Sequence, residues 1–191
     1  TKALMKKIFL PIVFLVFLCS CNKKDKTIIE SEDNKKFEQY KEQFIISFWE
    51  FYPDYAASQG YHKLDSVLIV PDQKYYAKQL DFVKANLDSL QNYNLENLSD
   101  NNKTDLYMIK NQLEGTIFSI TEIKSFEWNP SEYNVCGAFA EILNGNYDSL
   151  ENRLRDFDLK MKNVPAYYEQ AVKNIKNPTI EHTQLAIAQN L

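Results

Sequence analysis

Apolar and aromatic residues recur at steps of three and four along most of the chain from about residue 35, and this periodicity constrains the fold most strongly. Residues with that spacing lie on one face of a helix with 3.6 residues per turn. The sequence therefore predicts an all-α fold, with about seven helices in an irregular bundle. We interpret each stripe as core rather than as a cofactor site. The four stripes are Phe37, Tyr40, Phe44, Phe48 and Phe51; Tyr76, Leu80, Val83, Leu87 and Leu90; Leu106, Ile109, Leu113, Ile117 and Ile120; and Leu150, Leu154, Phe157, Met161 and Val164.

Glycine and proline are scarce, with 4 and 6 residues, which argues against a sandwich or barrel because such folds need many turns. One run, Val67 to Val70, has β-like composition, and four residues do not make a sheet. Polar capping residues and prolines mark helix starts, and a glycine after a helical segment marks a helix end. The start signals are Pro53, Pro71 with Asp72, Ser99, Asp148 or Ser149, Pro165 and Pro178, and the end signal is Gly60. Pro178 is expected in the first turn of its helix.

The N-terminal segment has the parts of an export signal. Met5, Lys6 and Lys7 form a short basic start, and Ile8 to Leu18 is an apolar stretch of eleven residues. A membrane-spanning helix needs about 20 apolar residues, so this stretch is too short to span. We predict that residues 1–20 are a signal peptide, with residues 1–4 untranslated. The alternative is a buried apolar N-terminal helix.

The end of this segment, Leu18-Cys19-Ser20-Cys21, resembles the bacterial lipobox. The resemblance implies that Cys21 is lipidated and becomes the mature N-terminus. The polar residues that follow predict a flexible, lipidated tether over residues 21–34. Several acyl chains hold a protein firmly on a membrane. We therefore expect an exported protein, anchored through Cys21 to a membrane of the bacterial cell envelope. The outer membrane is favoured, with the protein facing the periplasm or the cell surface.

The charge balance excludes nucleic acid as a partner. The net charge is −4, and removal of residues 1–20 leaves 19 basic residues against 26 acidic ones, a net charge of −7. A protein binds nucleic acid by neutralising phosphates with clustered lysine and arginine, and the basic residues here are scattered.

The residue types needed for several kinds of catalysis are missing from this sequence. His62 and His182 are the only histidines, and neither belongs to an H-E-x-x-H motif, in which i, i+4 spacing places two imidazoles on one helix face. We predict no metal ligands and no catalytic residues in this chain. Cys136 remains as an unmodified cysteine, and we interpret it as a small core residue rather than a nucleophile.

Two segments offer cleft candidates. In residues 50–66, His62 and Asp65 can share a proton or hydrogen bond and line a cleft; alternatively His62 is exposed in a loop and Asp65 is a cap. In residues 127–137, Trp128 and Tyr133 suit ligand contact; alternatively they belong to an aromatic loop packed over helix ends.

The segment FYPDYAASQGYHKLDSVL resembles the opening signature of the bacterial domain-of-unknown-function family 885. The matching positions are Pro53, Ala56, Ala57, Ser58, Gly60, His62 and Asp65. Later segments, NNKTDLYMIKNQLEG, YNVCGAFAEILNGNYDSLENRLRD and NVPAYYEQAVKNIKNPTIEHTQLAI, resemble the next blocks of its lipoprotein branch. The resemblance covers about residues 40–191.

This resemblance implies a mostly helical exported protein of several hundred residues, similar to zinc metallopeptidases, with an H-E-x-x-H-type helix in its C-terminal half. Residues 35–191 would be the N-terminal helical region of that domain, truncated at Leu191. We expect zinc and a peptide or other small substrate for the intact parent, and no hydrolase activity from this chain alone. The alternative is an envelope lipoprotein that captures glycans or peptides without catalysis, with Trp49, Trp128 and Tyr133 stacking on sugars.

Overall fold

The computed structural model describes residues 31–189. Helices account for most of these residues, and no β-strand occurs among residues 31–189, which confirms the predicted all-α fold. Within this described part of the chain, seven α-helices have nine or more residues and two are shorter. They are α1 (Glu32–Trp49), α2 (Pro53–Ser58), α3 (Gln73–Leu90), α4 (Asp100–Phe118), α5 (Ser125–Trp128), α6 (Cys136–Asn144), α7 (Leu150–Met161), α8 (Val164–Asn174) and α9 (Ile180–Gln189).

The hydrophobic core lies between the three longest helices, α1, α3 and α4. Each of these helices buries most of the apolar stripe predicted for it, and Leu98 in the α3–α4 connection closes one end. Apolar burial of this kind is the main driving force of folding, at about 25 cal/mol per Å² removed from water. The buried cluster consists of Phe37, Phe44, Val83, Leu90, Leu98, Leu106 and Leu113.

Aromatic rings form a continuous row along α1 and past its C-terminus. The rings of Phe37, Tyr40, Phe44 and Phe48 follow one another with centroids 5.7–5.9 Å apart, and Phe48 then lies 4.5 Å from Tyr52. Ring pairs at these separations attract each other beyond the area that they bury. The row therefore connects the core to the turn between α1 and α2.

Polar residues also join the N-terminal half of α1 to α4. Asn102 is fully buried; it donates from Nδ2 to Oδ1 of Asn34 (2.9 Å) and accepts from Nζ of Lys41 (2.6 Å). The same ammonium lies 2.6 Å from the carboxylate of Asp105. A buried amide must be satisfied to avoid a desolvation cost, so this network fixes the pairing of α1 with α4.

Most predicted helix boundaries agree with the structure. Asp72, Ser99 and Ser149 are N-caps whose side chains accept a hydrogen bond from a backbone N–H three residues on. Gly60 follows α2 with φ +84°, and the N–H groups of Gly60 and Tyr61 donate to carbonyls of α2 in the pattern of a Schellman motif. Glycine reaches this left-handed conformation without the steric cost that other residues incur.

Other details of the sequence interpretation were wrong. Pro178 lies two residues before α9 rather than in its first turn. Cys136 is exposed at the start of α6 and is not a core residue. Leu150, Leu154 and Met161 of the predicted α7 stripe are also exposed. Periodicity shows which helix face is apolar, and in α7 nothing among residues 31–189 covers much of that face.

The predicted signal peptide and Cys21 lie outside the described residues, as does the tether up to residue 30. Residues 32–34, predicted as the end of the tether, belong to α1, and Ser31 is its N-cap. Within residues 31–189, no helix has both the length and the apolar character needed to cross a membrane.

Replacement of Leu113, which is 0% exposed in α4, should test the three-helix core. Leu113→Ala should lower the free energy of unfolding by about 3 kcal/mol, because it removes buried methyl groups and leaves a cavity. Urea denaturation measures this loss. Met108→Ala changes a residue of the same helix that is 65% exposed, and it should cost less than about 0.5 kcal/mol. Equal losses of unfolding free energy for the two variants would contradict a core between α1, α3 and α4.

Candidate functional site

A cleft of about 620 Å³ opens where the α1–α2 corner, α3 and α4 meet the segment 125–138 and α8. This volume lies within the range of about 300–1,000 Å³ that is typical of ligand sites. Seven aromatic side chains line it, of which five are tyrosines, and we call it the tyrosine cleft. These aromatic residues are Phe51, Tyr52, Tyr55, Tyr75, Tyr76, Phe126 and Tyr167.

The cleft tyrosines are positioned by the core row of rings and by hydrogen bonds. Tyr75 donates its hydroxyl proton to the carbonyl of Phe51 (3.0 Å), and the hydroxyl of Tyr52 accepts from Nε2 of Gln79 (2.6 Å). The ring of Tyr76 stacks on Phe126 with centroids 4.3 Å apart. The walls of the cleft are therefore held by contacts between the α1–α2 turn, α3 and α5.

Burial raises the pKa of these phenols. The pKa values of Tyr52, Tyr75 and Tyr76 lie above the ordinary value of 10, mainly because burial disfavours the charged phenolate. Burial likewise raises the pKa of Tyr167 to about 12. The four side chains are neutral at physiological pH, and they present aromatic faces and hydroxyl groups rather than negative charge.

A distortion at the end of α4 shapes one side of the cleft. The helix continues into a π-helical turn over Ser119–Ile123, and Lys124 follows with φ +48°. Positive φ is uncommon for residues other than glycine, and it turns the chain sharply into α5. Ser119 and Ile120 of the π-turn line the cleft. Such π-turns often occur at functional sites.

Two carboxylates line the cleft and have different partners. Asp54 in α2 pairs with Lys160 of α7, with an Nζ–Oδ1 distance of 2.6 Å. Glu132 accepts hydrogen bonds from two neutral side chains, Oγ of Ser125 (2.8 Å) and Nδ2 of Asn129 (3.0 Å). Within residues 31–189, no lysine, arginine or histidine lines the cleft.

Lys160 is 1% exposed, which is unusual for a lysine. Its ammonium also donates to the carbonyl of Ala138 (2.8 Å) and lies 5.9 Å from the ring centroid of Phe139. Burial of an unpaired ammonium is costly, so these contacts hold Asp54 and tie α7 to α2 and α6.

A second polar group lies at the family-signature corner and joins His62, Asp65 and Tyr147. Nδ1 of His62 lies 3.1 Å from Oδ2 of Asp65, and the Tyr147 hydroxyl donates to the same oxygen. The rings of His62 and Tyr147 stack in parallel with centroids 3.3 Å apart. Asp65 is 1% exposed, and its Oδ1 accepts no hydrogen bond from the residues that the structure describes. This group connects the 3₁₀ turn at His62–Leu64 to the α6–α7 connection.

Gly145 allows Tyr147 to take this position. A Cβ atom at residue 145 would lie 2.5 Å from the Tyr147 ring and 2.6 Å from the carbonyl oxygen of Glu141. Contacts that short do not occur in real structures, so only glycine permits the close approach. Burial and the hydrogen bond to Asp65 raise the pKa of Tyr147 above 10, and the phenol stays protonated.

None of the four cleft candidates identified from sequence is among the residues that line the tyrosine cleft. His62 and Asp65 do come together, in the corner with Tyr147. Trp128 donates from Nε1 to the carbonyl of Ile123 (2.8 Å). Tyr133 is buried, donates to the carbonyl of Phe126 (2.7 Å), and lines a separate apolar pocket of about 340 Å³ beside α8.

Sequence reasoning missed the residues that do line the cleft, above all Tyr76, Glu132 and Tyr167. Tyr76 was assigned to a core stripe, and its ring does stack on Phe126. A signal for Glu132 was present, because Asn129 and Pro130 start a 3₁₀ turn in which the Asn129 side chain accepts from Ser131 N–H. The side chain of Asn129, at the start of that turn, donates a hydrogen bond to Glu132. No local sequence pattern shows that Glu132 lines a cleft together with residues of α3 and α8.

Among residues 31–189, no group of three or more histidine, cysteine, aspartate or glutamate side chains is arranged to hold a metal ion. The described residues that line the tyrosine cleft offer aromatic faces, hydroxyl groups and one oriented carboxylate to a ligand.

Comparison with known proteins gives the family. The model of the bacterial proteins of unknown function called DUF885 matches residues 53–191, which is more than half of the chain. The chain belongs to this family. It is also similar to a solved structure of a candidate lipoprotein of unknown function from Shewanella oneidensis, with 42% identity and a TM-score of 0.78.

That similarity covers 81% of this chain and 28% of the Shewanella oneidensis chain. The present chain therefore spans little more than a quarter of the length of this relative. No functionally curated protein matches the chain.

Loss of the Tyr147 hydroxyl should destabilise the signature corner. Tyr147→Phe removes a donor to the buried carboxylate of Asp65, and we expect a loss of about 1–3 kcal/mol in the free energy of unfolding. Urea denaturation measures it. Tyr107→Phe, at an exposed tyrosine of α4, is the control and should change stability by less than about 0.5 kcal/mol. If both variants are as stable as the parent chain, the hydrogen bond from Tyr147 to Asp65 does not contribute to the stability of the protein.

Proposed function

We propose that this chain is the N-terminal helical part of a lipid-anchored, exported hydrolase of the DUF885 family, and that its tyrosine cleft binds a peptide-like substrate. In the intact parent, these helices form one wall of the substrate-binding region. The observation that carries the proposal is the cleft itself, a concave site of about 620 Å³ whose lining combines aromatic faces with hydroxyl, amide and carboxylate groups. Extended peptides present alternating apolar and polar groups that match such a lining.

The anchoring part of the proposal is supported by two observations. Leu18-Cys19-Ser20-Cys21 has the lipobox pattern, and the similar Shewanella oneidensis protein is described as a candidate lipoprotein. Lipidation at Cys21 would hold the protein on an envelope membrane, facing the periplasm or the cell surface.

The hydrolytic part rests on the family resemblance. Zinc does not fit the described residues, since residues 31–189 offer no group of three ligand side chains. We assign zinc and the H-E-x-x-H helix to a further part of the parent protein, and we assign substrate binding to this chain.

Exposed apolar side chains on the last helices support this assignment. Val172 is 78% exposed, and Ile180 and Ile187 of α9 are also mostly exposed. Soluble proteins rarely leave large apolar patches open to water. Since the Shewanella oneidensis relative is much longer, we propose that additional chain of the parent protein packs against α8 and α9.

A test of lipidation uses bacteria that produce the full chain and are fed an azide-bearing palmitate analogue. We expect the label on the chain and the chain in the membrane fraction, and Cys21→Ala should abolish both. Cys19→Ala should retain both, because alanine suits that position of the lipobox. Unchanged labelling of the Cys21→Ala variant would disprove the assignment of the modified residue.

A test of the cleft fills it without disturbing the core. Gly115 of α4 lines the cleft, and a Cβ atom there meets nothing within 4 Å. Gly115→Leu should therefore add an apolar side chain to the cleft lining without a clash at its Cβ atom. Calorimetric titration of the purified chain with a blocked pentapeptide, acetyl-Ala-Ala-Phe-Ala-Ala-amide, should show binding that the variant weakens roughly tenfold or more.

Gly137→Leu is the matched control, since Gly137 is a helical glycine with equally open surroundings that does not line the cleft. It should bind the pentapeptide like the parent chain. No binding by the parent chain, or equal binding by the Gly115 variant, would refute the proposed use of the cleft.

The second candidate is an envelope lipoprotein that captures glycans or peptides without catalysis. It uses the same cleft, whose five tyrosines could also stack on sugar rings. Trp49 and Trp128, which sequence reasoning considered for sugar stacking, instead contact Tyr61 and His182. A neutral oligosaccharide in the same titration distinguishes the two ligand classes.

A further inference from the structure

The tyrosine cleft has an uncompensated negative charge. Of its two carboxylates, Asp54 is paired with the buried ammonium of Lys160 at 2.6 Å. Glu132 forms no ion pair with any residue that the structure describes, and its two hydrogen-bond donors, Ser125 and Asn129, are neutral. Because none of the described residues that line the cleft is basic, the charge of Glu132 has no cationic partner among them.

The carboxylate of Glu132 is held in a fixed orientation. One oxygen accepts from Oγ of Ser125 and the other from Nδ2 of Asn129, a residue that is itself buried. Oδ1 of Asn129 accepts in turn from the backbone N–H (3.2 Å) and the hydroxyl (2.6 Å) of Ser131. A carboxylate has about four acceptor positions, so two remain for a ligand. An oriented acceptor loses less entropy on binding than a mobile one.

Aromatic faces accompany this carboxylate. Tyr76 stacks on Phe126 at 4.3 Å, and Tyr76, Phe126 and Tyr167 line the cleft together with Glu132. Burial is the main reason for the raised pKa of Tyr167, and Asp54 and Glu132 are among the charges that add to it. Their effect agrees with a position of Tyr167 near both carboxylates. Neutral phenols and phenyl rings attract cations through the negative potential of their faces.

We propose that Glu132, with the rings of Tyr76 and Tyr167, forms a subsite of the cleft for a cation, the lysine ammonium or arginine guanidinium of a peptide. This inference rests on the proposed function, and it adds a substrate class to it: basic rather than neutral or acidic peptides. An acidic side chain is rejected, because Glu132 repels it and the lining offers no basic partner.

The test compares blocked pentapeptides that differ only at the central residue, which is lysine, norleucine or glutamate. Norleucine matches the length of lysine without its charge. Calorimetric titration of the full purified chain should give roughly tenfold tighter binding for the lysine peptide than for the norleucine peptide, and the weakest binding for the glutamate peptide. The preference should decrease at high salt, since the subsite is open to water.

Glu132→Gln should remove the preference for lysine over norleucine while norleucine binding stays the same. Glutamine keeps the shape of the side chain and an acceptor oxygen, so the variant removes mainly charge. Glu141→Gln is the matched control, because Glu141 is an exposed residue of α6 outside the cleft lining. It should keep the full preference. Thermal unfolding of both variants checks that each is folded.

The outcomes separate this inference from the proposed function. If the norleucine or phenylalanine peptide binds in the cleft and the lysine peptide binds no more tightly, the cation subsite is wrong and peptide binding stands. A lysine preference that persists in Glu132→Gln also overturns the subsite. If none of the peptides binds, both proposals fail.

Discussion

Packing of the aromatic face of α1 against α3 and α4 is the constraint on which the rest of the structure depends. The row of rings along α1 does not stop at the core, because Phe48 contacts Tyr52 beyond the end of the helix. The next contacts, from Tyr75 to the carbonyl of Phe51 and from Gln79 to Tyr52, form the wall of the cleft. The cleft wall is therefore a continuation of the core, and its shape follows from the same side chains that stabilise the fold. A site built in this way is preorganised before any ligand arrives.

Helical periodicity predicted α1, α3 and α4 well because in these helices the apolar stripe and the buried face are the same. In α7 they differ: Leu150 and Leu154 are exposed, while Lys160 is buried against Asp54. A local pattern records which residues are apolar, and it does not record which partner covers them. Capping residues were predicted more reliably than burial, since a cap such as Ser99 acts on backbone groups three residues away. Pro178 was misplaced because proline is compatible with the residues before a helix as well as with its first turn.

The candidate sites show the same limit. The pairing of His62 with Asp65 was predictable, because three residues separate them in one turn. Their third partner, Tyr147, is 82 residues from Asp65, and no short-range rule links the two. The close packing of Gly145 against Tyr147 explains why residue 145 is a glycine, and this reason is visible only in the folded structure. The cleft was missed for a similar reason: Tyr76 fits a core stripe in sequence, and its place in the cleft wall depends on Phe126 and Tyr167, which are far from it along the chain.

The two carboxylates of the cleft show how a structural charge differs from one available for recognition. Asp54 is held by an ammonium that is itself buried, and separation of the two would strand Lys160 without a counterion. The charge of Asp54 is therefore already balanced by Lys160 within the protein. Glu132 is exposed to water, which solvates it at little cost to stability, and its neutral donors fix its direction without cancelling its charge. Oriented, charged and unpaired within an aromatic cleft, Glu132 has no structural partner that requires its charge, and a cationic ligand would supply one.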